Sequence, residues 1–191
     1  MRAVTRFLAA LGVLLIVTMP ALSAQHPQTR EGFWIGFGFG YGSRHETCTG
    51  CGSANDGGVT GFLKLGGTLS KNVLLGGAVN AWTKSESGVK ESLGNVTASV
   101  YYYPAPASGL FLTGGLGLSD YRLSDGGSIT GAGWGFTVGT GYDIRVGRNV
   151  SLTPVVNFAY GHVGDLSSGG TTVDAGWKQS VIDFALGVTF H

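Results

Sequence analysis

This 191-residue sequence predicts an all-β protein, an eight-stranded antiparallel up-and-down transmembrane β-barrel, on three observations. Residues 33–42 read FWIGFGFGYG, and large apolar residues alternating with glycine are typical of a β-strand, whose successive side chains point to opposite faces. Charged residues make up only 12% of the chain, about half of the usual ~25% in soluble domains. After position 24 no apolar run is long enough for a spanning helix. A closed β-barrel is then the structure that can pair the backbone N–H and C=O groups within lipid.

The first 24 residues have the composition of a secretory signal peptide. Arg2 and Arg6 form a basic start, and the apolar run over 7–17 leads to a small-residue cleavage site ending at Ala24. The run is shorter than the ~20 residues that span a bilayer as a helix. We therefore expect a cleaved signal peptide, 1–24, and one mature domain, the outer-membrane β-barrel of residues 25–191.

Eight segments show the alternation, at 32–42, 58–69, 73–84, 93–103, 110–121, 130–145, 150–162 and 177–190. Their apolar faces are carried, in chain order, by Phe33, Ile35 and Phe37; Val59, Leu63 and Leu65; Leu75 and Val79; Val96 and Val100; Leu112, Leu116 and Leu118; Trp134, Phe136 and Val138; Val156 and Phe158; and Ile182, Phe184 and Leu186. The opposite faces carry most of the glycines and the polar residues. That polarity favours a membrane barrel over a soluble lipocalin-like barrel of the periplasm, which is apolar inside.

The connectors alternate in length. Short ones lie at 70–72, 104–109 and 146–149, and longer ones at 43–57, 85–92, 122–129 and 163–176. This predicts short periplasmic turns, longer extracellular loops and both termini on the periplasmic side. Eight strands enclose a core that side chains just fill. Pro154 cannot donate a ladder hydrogen bond, so we expect a bulge or a missing bond there.

Aromatic residues near the strand ends predict two belts at the membrane–water interfaces. The periplasmic belt consists of Phe33, Tyr102, Tyr142 and Phe190, and the extracellular belt of Tyr41, Trp134 and Tyr160.

Four charged residues point into the barrel by parity: Lys64, Asp143, Arg145 and Asp183. Charges in a dry lumen need partners. Lys64 and Asp183 would be two strands apart, about 9.6 Å at ~4.8 Å per strand, with only glycines of the first strand between them. We expect a structural ion-pair plug of Lys64 with Asp183, extended by Asp143 and Arg145. A catalytic or proton-conducting cluster is the alternative.

Cys48 and Cys51 lie in the first long connector. Export to an oxidising compartment favours a small loop disulfide. A redox dithiol would need a helix N-terminus to lower a thiol pKa, and no helix is indicated. A metal site of both cysteines with His45 would lack a fourth ligand.

Signals for catalysis, cofactors and nucleic acid are weak. His162 is followed by Asp165, Ser167 and Ser168, the residue types of a nucleophile–base–acid site, but a glycine-rich loop does not hold them rigidly. The sequence contains no phosphate-binding glycine motif, and the mature chain has no basic excess for nucleic acid. We expect no enzyme activity, no metal, no cofactor and no nucleic-acid partner.

The segments, the signal peptide and the aromatic last strand together resemble the small outer-membrane β-barrel superfamily, which includes the OmpA membrane domain, OmpX and OmpW. The run GTGYDIR at 139–145, followed by NVSLTP at 149–154, is similar to the penultimate hairpin of such proteins. Residues 184–190, FALGVTF, resemble the C-terminal signal for the barrel-assembly machinery, although His191 follows. The resemblance implies the outer membrane of a Gram-negative-type envelope.

That resemblance also implies partners: outer-membrane lipid and lipopolysaccharide, the barrel-assembly machinery through the C-terminal strand, and an extracellular ligand of the long loops. The expected role is non-enzymatic, either structural or in surface interaction. The alternatives are a small-solute channel and a lipid-modifying outer-membrane enzyme.

Overall fold

The computed structural model describes residues 30–191, so the predicted signal peptide lies outside the described residues. Nine strands follow one another along the chain: β1 Phe33–Thr47, β2 Ala54–Thr68, β3 Val73–Glu86, β4 Val89–Tyr102, β5 Leu110–Ser124, β6 Ser128–Tyr142, β7 Ile144–Arg145, β8 Val150–Ser168 and β9 Thr171–Phe190. Within these residues no helix is long and apolar enough to cross a membrane.

The strands form a closed antiparallel wall. The sheet order is β6-β5-β4-β3-β2-β1-β9-β8-β7, and an additional pairing of β6 with β8 joins its two ends. The two-residue strand β7 continues β6 beyond Asp143 and pairs with the start of β8. The wall therefore has eight strands in up-and-down order, as the alternating pattern predicts.

The break between β6 and β7 lies opposite Pro154. Gly141 pairs with Val155 and Ile144 with Leu152, a register that places Tyr142 opposite Pro154. Proline has no N–H to donate across this gap. The backbone N–H of Asp143 points away from β8 and donates to the carbonyl of Gly109, just before β5, at 2.9 Å. The interrupted ladder expected at Pro154 is therefore present.

Large apolar side chains cover the outer face of the wall. Phe39, Leu116 and Leu118 each expose 70% or more of their surface, which is normal for groups that contact lipid. Both predicted belts are on this face, with Phe33 and Tyr102 at the periplasmic end and Tyr41, Trp134 and Tyr160 at the other end.

The longer connectors expected on the extracellular side are mostly strand, which corrects that prediction. The hairpin of β3 and β4 turns at Ser87 and Gly88, both with positive φ, as a type I′ turn requires. The hairpin of β8 and β9 turns at Gly169 and Gly170 in the same way. Serines 167 and 168 are paired with threonines of β9 and are not in an irregular loop.

The glycine face of β1 packs closely against β9. A Cβ at Gly40 would lie 2.2 Å from the carbonyl oxygen of Phe184 and 2.6 Å from the Cα of Ala185. A Cβ at Gly38 would lie 2.6 Å from the Cα of Gly187. The bare inner face of β1 thus lets two backbones approach where the barrel closes.

Candidate functional site: the lumen and the extracellular mouth

Inward side chains fill the lumen in three layers. The periplasmic layer is an apolar cluster of Trp34, Leu74, Tyr101, Tyr103, Phe111, Val155 and Ala185. The extracellular layer is a second cluster of Trp82, Leu93, Tyr121, Val163, Leu166, Trp177 and Val181. Buried polar residues lie between them, including Asn95, Thr97, Ser99, Ser119, Asn157 and Asp183. Within residues 30–191, the barrel is therefore closed by aromatic side chains at both ends of a polar centre.

Lys64 lies at the border of the periplasmic cluster. Its side chain crosses the glycine face of β1, because a Cβ at Gly36 would lie 2.6 Å from the Lys64 Cε. Its Nζ is 4.8 Å from the ring centroid of Phe111 and 5.3 Å from that of Tyr101. Cation–π contacts of a desolvated ammonium contribute about 2 kcal/mol in favourable cases. Aromatic rings, together with attraction to Asp143, hold this charge.

The expected ion pair of Lys64 with Asp183 is not formed within the described residues. Asp183 accepts a hydrogen bond from Asn157 Nδ2 at 3.1 Å, and Lys64 turns toward the periplasmic rings instead. The amide of Asn157 satisfies the Asp183 carboxyl without a cation. The Lys64 side chain does cross the glycine face of β1, as expected from the sequence. It reaches aromatic rings and the field of Asp143, however, and not Asp183.

Asp143 is the centre of a network at the periplasmic end. It is fully buried and accepts hydrogen bonds from Tyr103 Oη at 2.7 Å and Thr153 Oγ1 at 2.8 Å. His191 Nε2 lies 3.4 Å from the same carboxyl. Arg145 is buried beside it and interacts electrostatically with it. Asp143 and Arg145 are thus brought together at the periplasmic mouth, but not as an extension of a pair between Lys64 and Asp183.

Arg30 closes this end from outside the strands. Its guanidinium carbon lies 3.6 Å from the ring centroid of Tyr103. It donates hydrogen bonds to the carbonyls of Pro106 at 2.9 Å and Ser108 at 2.7 Å. Arg30 therefore fixes the turn between β4 and β5 across the periplasmic opening. No strand alternation covers position 30, so this contact could not be predicted from the pattern of residues.

The polar centre contains two small cavities of about 20 Å³ each. Such a volume has room for about one water molecule. Lys64 and Asn157 line the first cavity, Gln179 and Asp183 line the second, and Asn80 borders both. These spaces suit isolated hydration of polar groups and are far smaller than a solute pathway.

Arg44 organises the extracellular mouth. It is buried, forms ion pairs with Glu46 and Glu91, and lies 3.8 Å from an Asp56 oxygen. Tyr121 Oη donates to Glu91 at 2.7 Å. Because Arg44 carries five donors in a planar fork, one guanidinium can serve several carboxylates. This network spans β1, β2, β4 and β5 above the apolar cluster.

Titration of the mouth is dominated by Glu46. Burial, with Glu91 and Asp56 nearby, raises the pKa of Glu46 to about 7, although Arg44 opposes the shift. The hydrogen bond from Lys84 lowers the pKa of Asp56. Lys84 Nζ lies 2.8 Å from Asp56 and 2.6 Å from Glu86. The mouth therefore gains negative charge as pH rises through neutrality.

Cys48 and Cys51 are joined by a disulfide in the connector between β1 and β2. Cys48 packs against the extracellular apolar cluster. Between the cysteines, the Thr49 N–H donates to the carbonyl of Ala175 on β9 at 2.9 Å. The disulfide loop thus lies over the side of the mouth where β1 and β9 meet. Within residues 30–191, no group of metal-binding side chains includes these cysteines.

His162, Asp165, Ser167 and Ser168 are not brought together as a catalytic group. His162 pairs with Lys178 and packs 6.1 Å from the Trp134 ring. The Asp165 carboxylate accepts a hydrogen bond from the Gly176 N–H at 3.1 Å. Among the described residues, no hydrogen bond links His162 to either serine.

Comparison with known proteins agrees with this architecture. Residues 9–190 match the family described as the outer membrane protein beta-barrel domain. The chain belongs to this family. It is an integral protein of the outer membrane. No curated protein sequence matches it.

Two solved structures illustrate the shared fold. One is Ail, the attachment invasion locus protein of Yersinia pestis, in complex with the heparin analogue sucrose octasulfate; it is 13% identical, with 84% of this chain and 99% of Ail covered at a TM-score of 0.57. The other is Neisserial surface protein A, 19% identical, with 84% of this chain and 97% of that chain covered at a TM-score of 0.55. At these identities the likeness concerns the barrel alone.

Proposed function

We propose that this protein is a non-enzymatic, non-conducting outer-membrane barrel that acts through its extracellular surface. The observation that carries the proposal is the filling of the lumen at both ends. Trp34 in the periplasmic cluster and Trp82 in the extracellular cluster are each 1% exposed. Two cavities in the polar centre between them have volumes of about 20 Å³ each.

The extracellular surface is suited to binding because it is ordered in advance. The hairpins turn tightly, the Arg44 network cross-links four strands, and the Cys48–Cys51 loop is bonded to β9. A preorganised surface loses less conformational entropy when a partner binds. This supports an extracellular ligand of the hairpins as the partner. In the same proposal, the strand ending at Phe190 is read by the barrel-assembly machinery.

Single-channel recording in planar lipid bilayers tests the non-conducting role. We expect no conductance steps from the wild type. A Trp82→Ala variant, which removes an aromatic side chain from the extracellular cluster, should show brief openings, whereas Trp134→Ala on the lipid face should not. Regular wild-type steps would contradict the proposal and support the small-solute channel.

Mass analysis of outer-membrane lipid, with and without expression, tests the non-enzymatic role. We expect identical lipid masses in both samples. A mass change that His162→Ala abolishes would instead establish the lipid-modifying alternative.

A further inference from the structure

We propose that a collar of outward-facing basic residues binds the phosphate groups of lipid headgroups in the outer leaflet. The collar consists of His45 on β1, Lys90 on β4, Arg122 on β5, His162 on β8 and Lys178 on β9. The inference rests on the outer-membrane location of the chain. It is independent of the non-conducting role, since a conducting barrel would carry the same outer face.

The collar residues stand at one level of the barrel. Each is 12 residues from the periplasmic end of its strand, and those ends are Phe33, Tyr102, Leu110, Val150 and Phe190. At ~3.3 Å per residue and a tilt of ~45°, 12 residues rise about 28 Å. The apolar band of such barrels is ~25 Å tall. The collar therefore lies just above the hydrocarbon layer, where headgroup phosphates are found.

The cations of the collar differ from the other cations at this end of the barrel. Lys90, Arg122 and Lys178 are exposed on the outer face, and within residues 30–191 none of them forms an ion pair. Arg44 and Lys84, which point into the mouth, are both paired with carboxylates. Outward cations with no protein partner are available to anions outside the protein.

An aromatic ladder on β6 and β8 continues from the collar down the membrane face. The Trp134 ring lies 6.1 Å from His162 and 5.8 Å from Tyr160. The Phe136 ring lies 5.3 Å from Tyr160 and 6.1 Å from Phe158. A phosphorylated lipid would fit both features, with its phosphate bound at the collar and its acyl chain lying along these rings. Free phosphate would use only the upper part.

The pairing of His162 with Lys178 gives this ladder its polar end. The two residues are directly opposite each other on β8 and β9, where cross-strand Cβ atoms are about 5 Å apart. Both can donate to the oxygens of one phosphate group. Asp120 also faces outward, two residues below Arg122 on β5, and its carboxylate opposes anion binding on that side.

Native mass spectrometry of the folded protein with diphosphoryl lipid A, compared with the same lipid after dephosphorylation, tests the proposal. We expect the wild type to prefer the phosphorylated lipid. The double variant Arg122→Gln/Lys178→Gln should lose about 30-fold in affinity for it, because each basic residue near a membrane surface contributes roughly fivefold. Asp120→Asn should bind it more tightly than the wild type.

The matched control is Lys71→Gln/Arg148→Gln. These residues lie exposed in periplasmic turns, and the control removes the same two residue types at the opposite end. We expect it to bind the lipid as the wild type does, with both variants still shifting on gels after boiling. Equal losses in the two double variants, or equal binding of both lipids by the wild type, would overturn the collar.

Discussion

The closeness of β1 to β9 makes a sharp prediction about Gly40. In Gly40→Ala the new Cβ would lie 2.2 Å from the Phe184 carbonyl oxygen and 2.6 Å from the Ala185 Cα. These are backbone atoms of the neighbouring strand and cannot rotate away. The two strands must separate locally by about 1 Å, and overpacking of this kind costs ~1–3 kcal/mol. We expect a loss near the upper end, about 3 kcal/mol.

Gly61→Ala is the matched control. Gly61 faces outward on the neighbouring strand β2, and its nearest neighbour to an added Cβ is Phe39 Cδ1 at 3.5 Å, an ordinary contact. Restricting the unfolded chain should stabilise this variant by about 0.5 kcal/mol. The two single-methyl additions should therefore differ by about 3.5 kcal/mol in free energy of unfolding.

Urea titration in lipid vesicles, followed by tryptophan fluorescence and by gel migration without boiling, measures this difference. If Gly40→Ala does not fold, its folded yield relative to Gly61→Ala gives the same comparison. Gly40→Ala within 0.5 kcal/mol of the wild type, or equal destabilisation by both substitutions, would refute the steric account.

Three further predictions concern the lumen and the mouth. The pKa of Glu46 is raised from 4.5 to about 7, so its contribution to the free energy of unfolding is complete below pH 4.5 and is lost as pH rises through 7. The free energy of unfolding should therefore be about 1–2 kcal/mol higher at pH 5 than at pH 8, after solvent screening. Glu46→Gln should remove that difference. Lys64→Met should cost less than about 1 kcal/mol, since an apolar chain of similar length replaces a desolvated ammonium; a loss above about 3 kcal/mol in the same titration would show that Asp143 requires this cation. Thiol titration of denatured, unreduced protein should find no free thiol at Cys48 or Cys51, and two free thiols would contradict the disulfide.

The eight-stranded wall could be predicted because lipid imposes a strong contrast on its outer face. Runs such as Trp134, Phe136 and Val138 keep a strict period of two across the bilayer. The break at Pro154 was equally accessible, since a missing N–H is a property of the residue type. Above the membrane, the contrast between an apolar outer face and a polar inner face disappears. In the extension of β8 the apolar residues Val163 and Leu166 are three positions apart, because register shifts between His162 and Ser167 interrupt the period of two. The alternation therefore does not predict a strand there, although Gly169 and Gly170 mark a hairpin turn.

Charge partners in the lumen were less predictable than charge positions. Parity correctly directs Lys64 and Asp183 inward, but partner choice depends on the height of each residue and on competing amides. Asn157 satisfies Asp183, while the rings around Lys64 come from several strands. Such convergence depends on the register of the whole barrel, which one strand's alternation does not contain.

The inward glycines leave space that large side chains of neighbouring strands fill. A Cβ at Gly38 would lie 2.6 Å from Phe62, and one at Gly141 would lie 2.5 Å from Phe111. In both cases the glycine and the large residue are directly paired across two strands. Gly36 receives Lys64 in the same way. A face that looks empty along one strand is thus occupied from the next, and the glycine ribbon of β1 is part of the packing that closes the lumen.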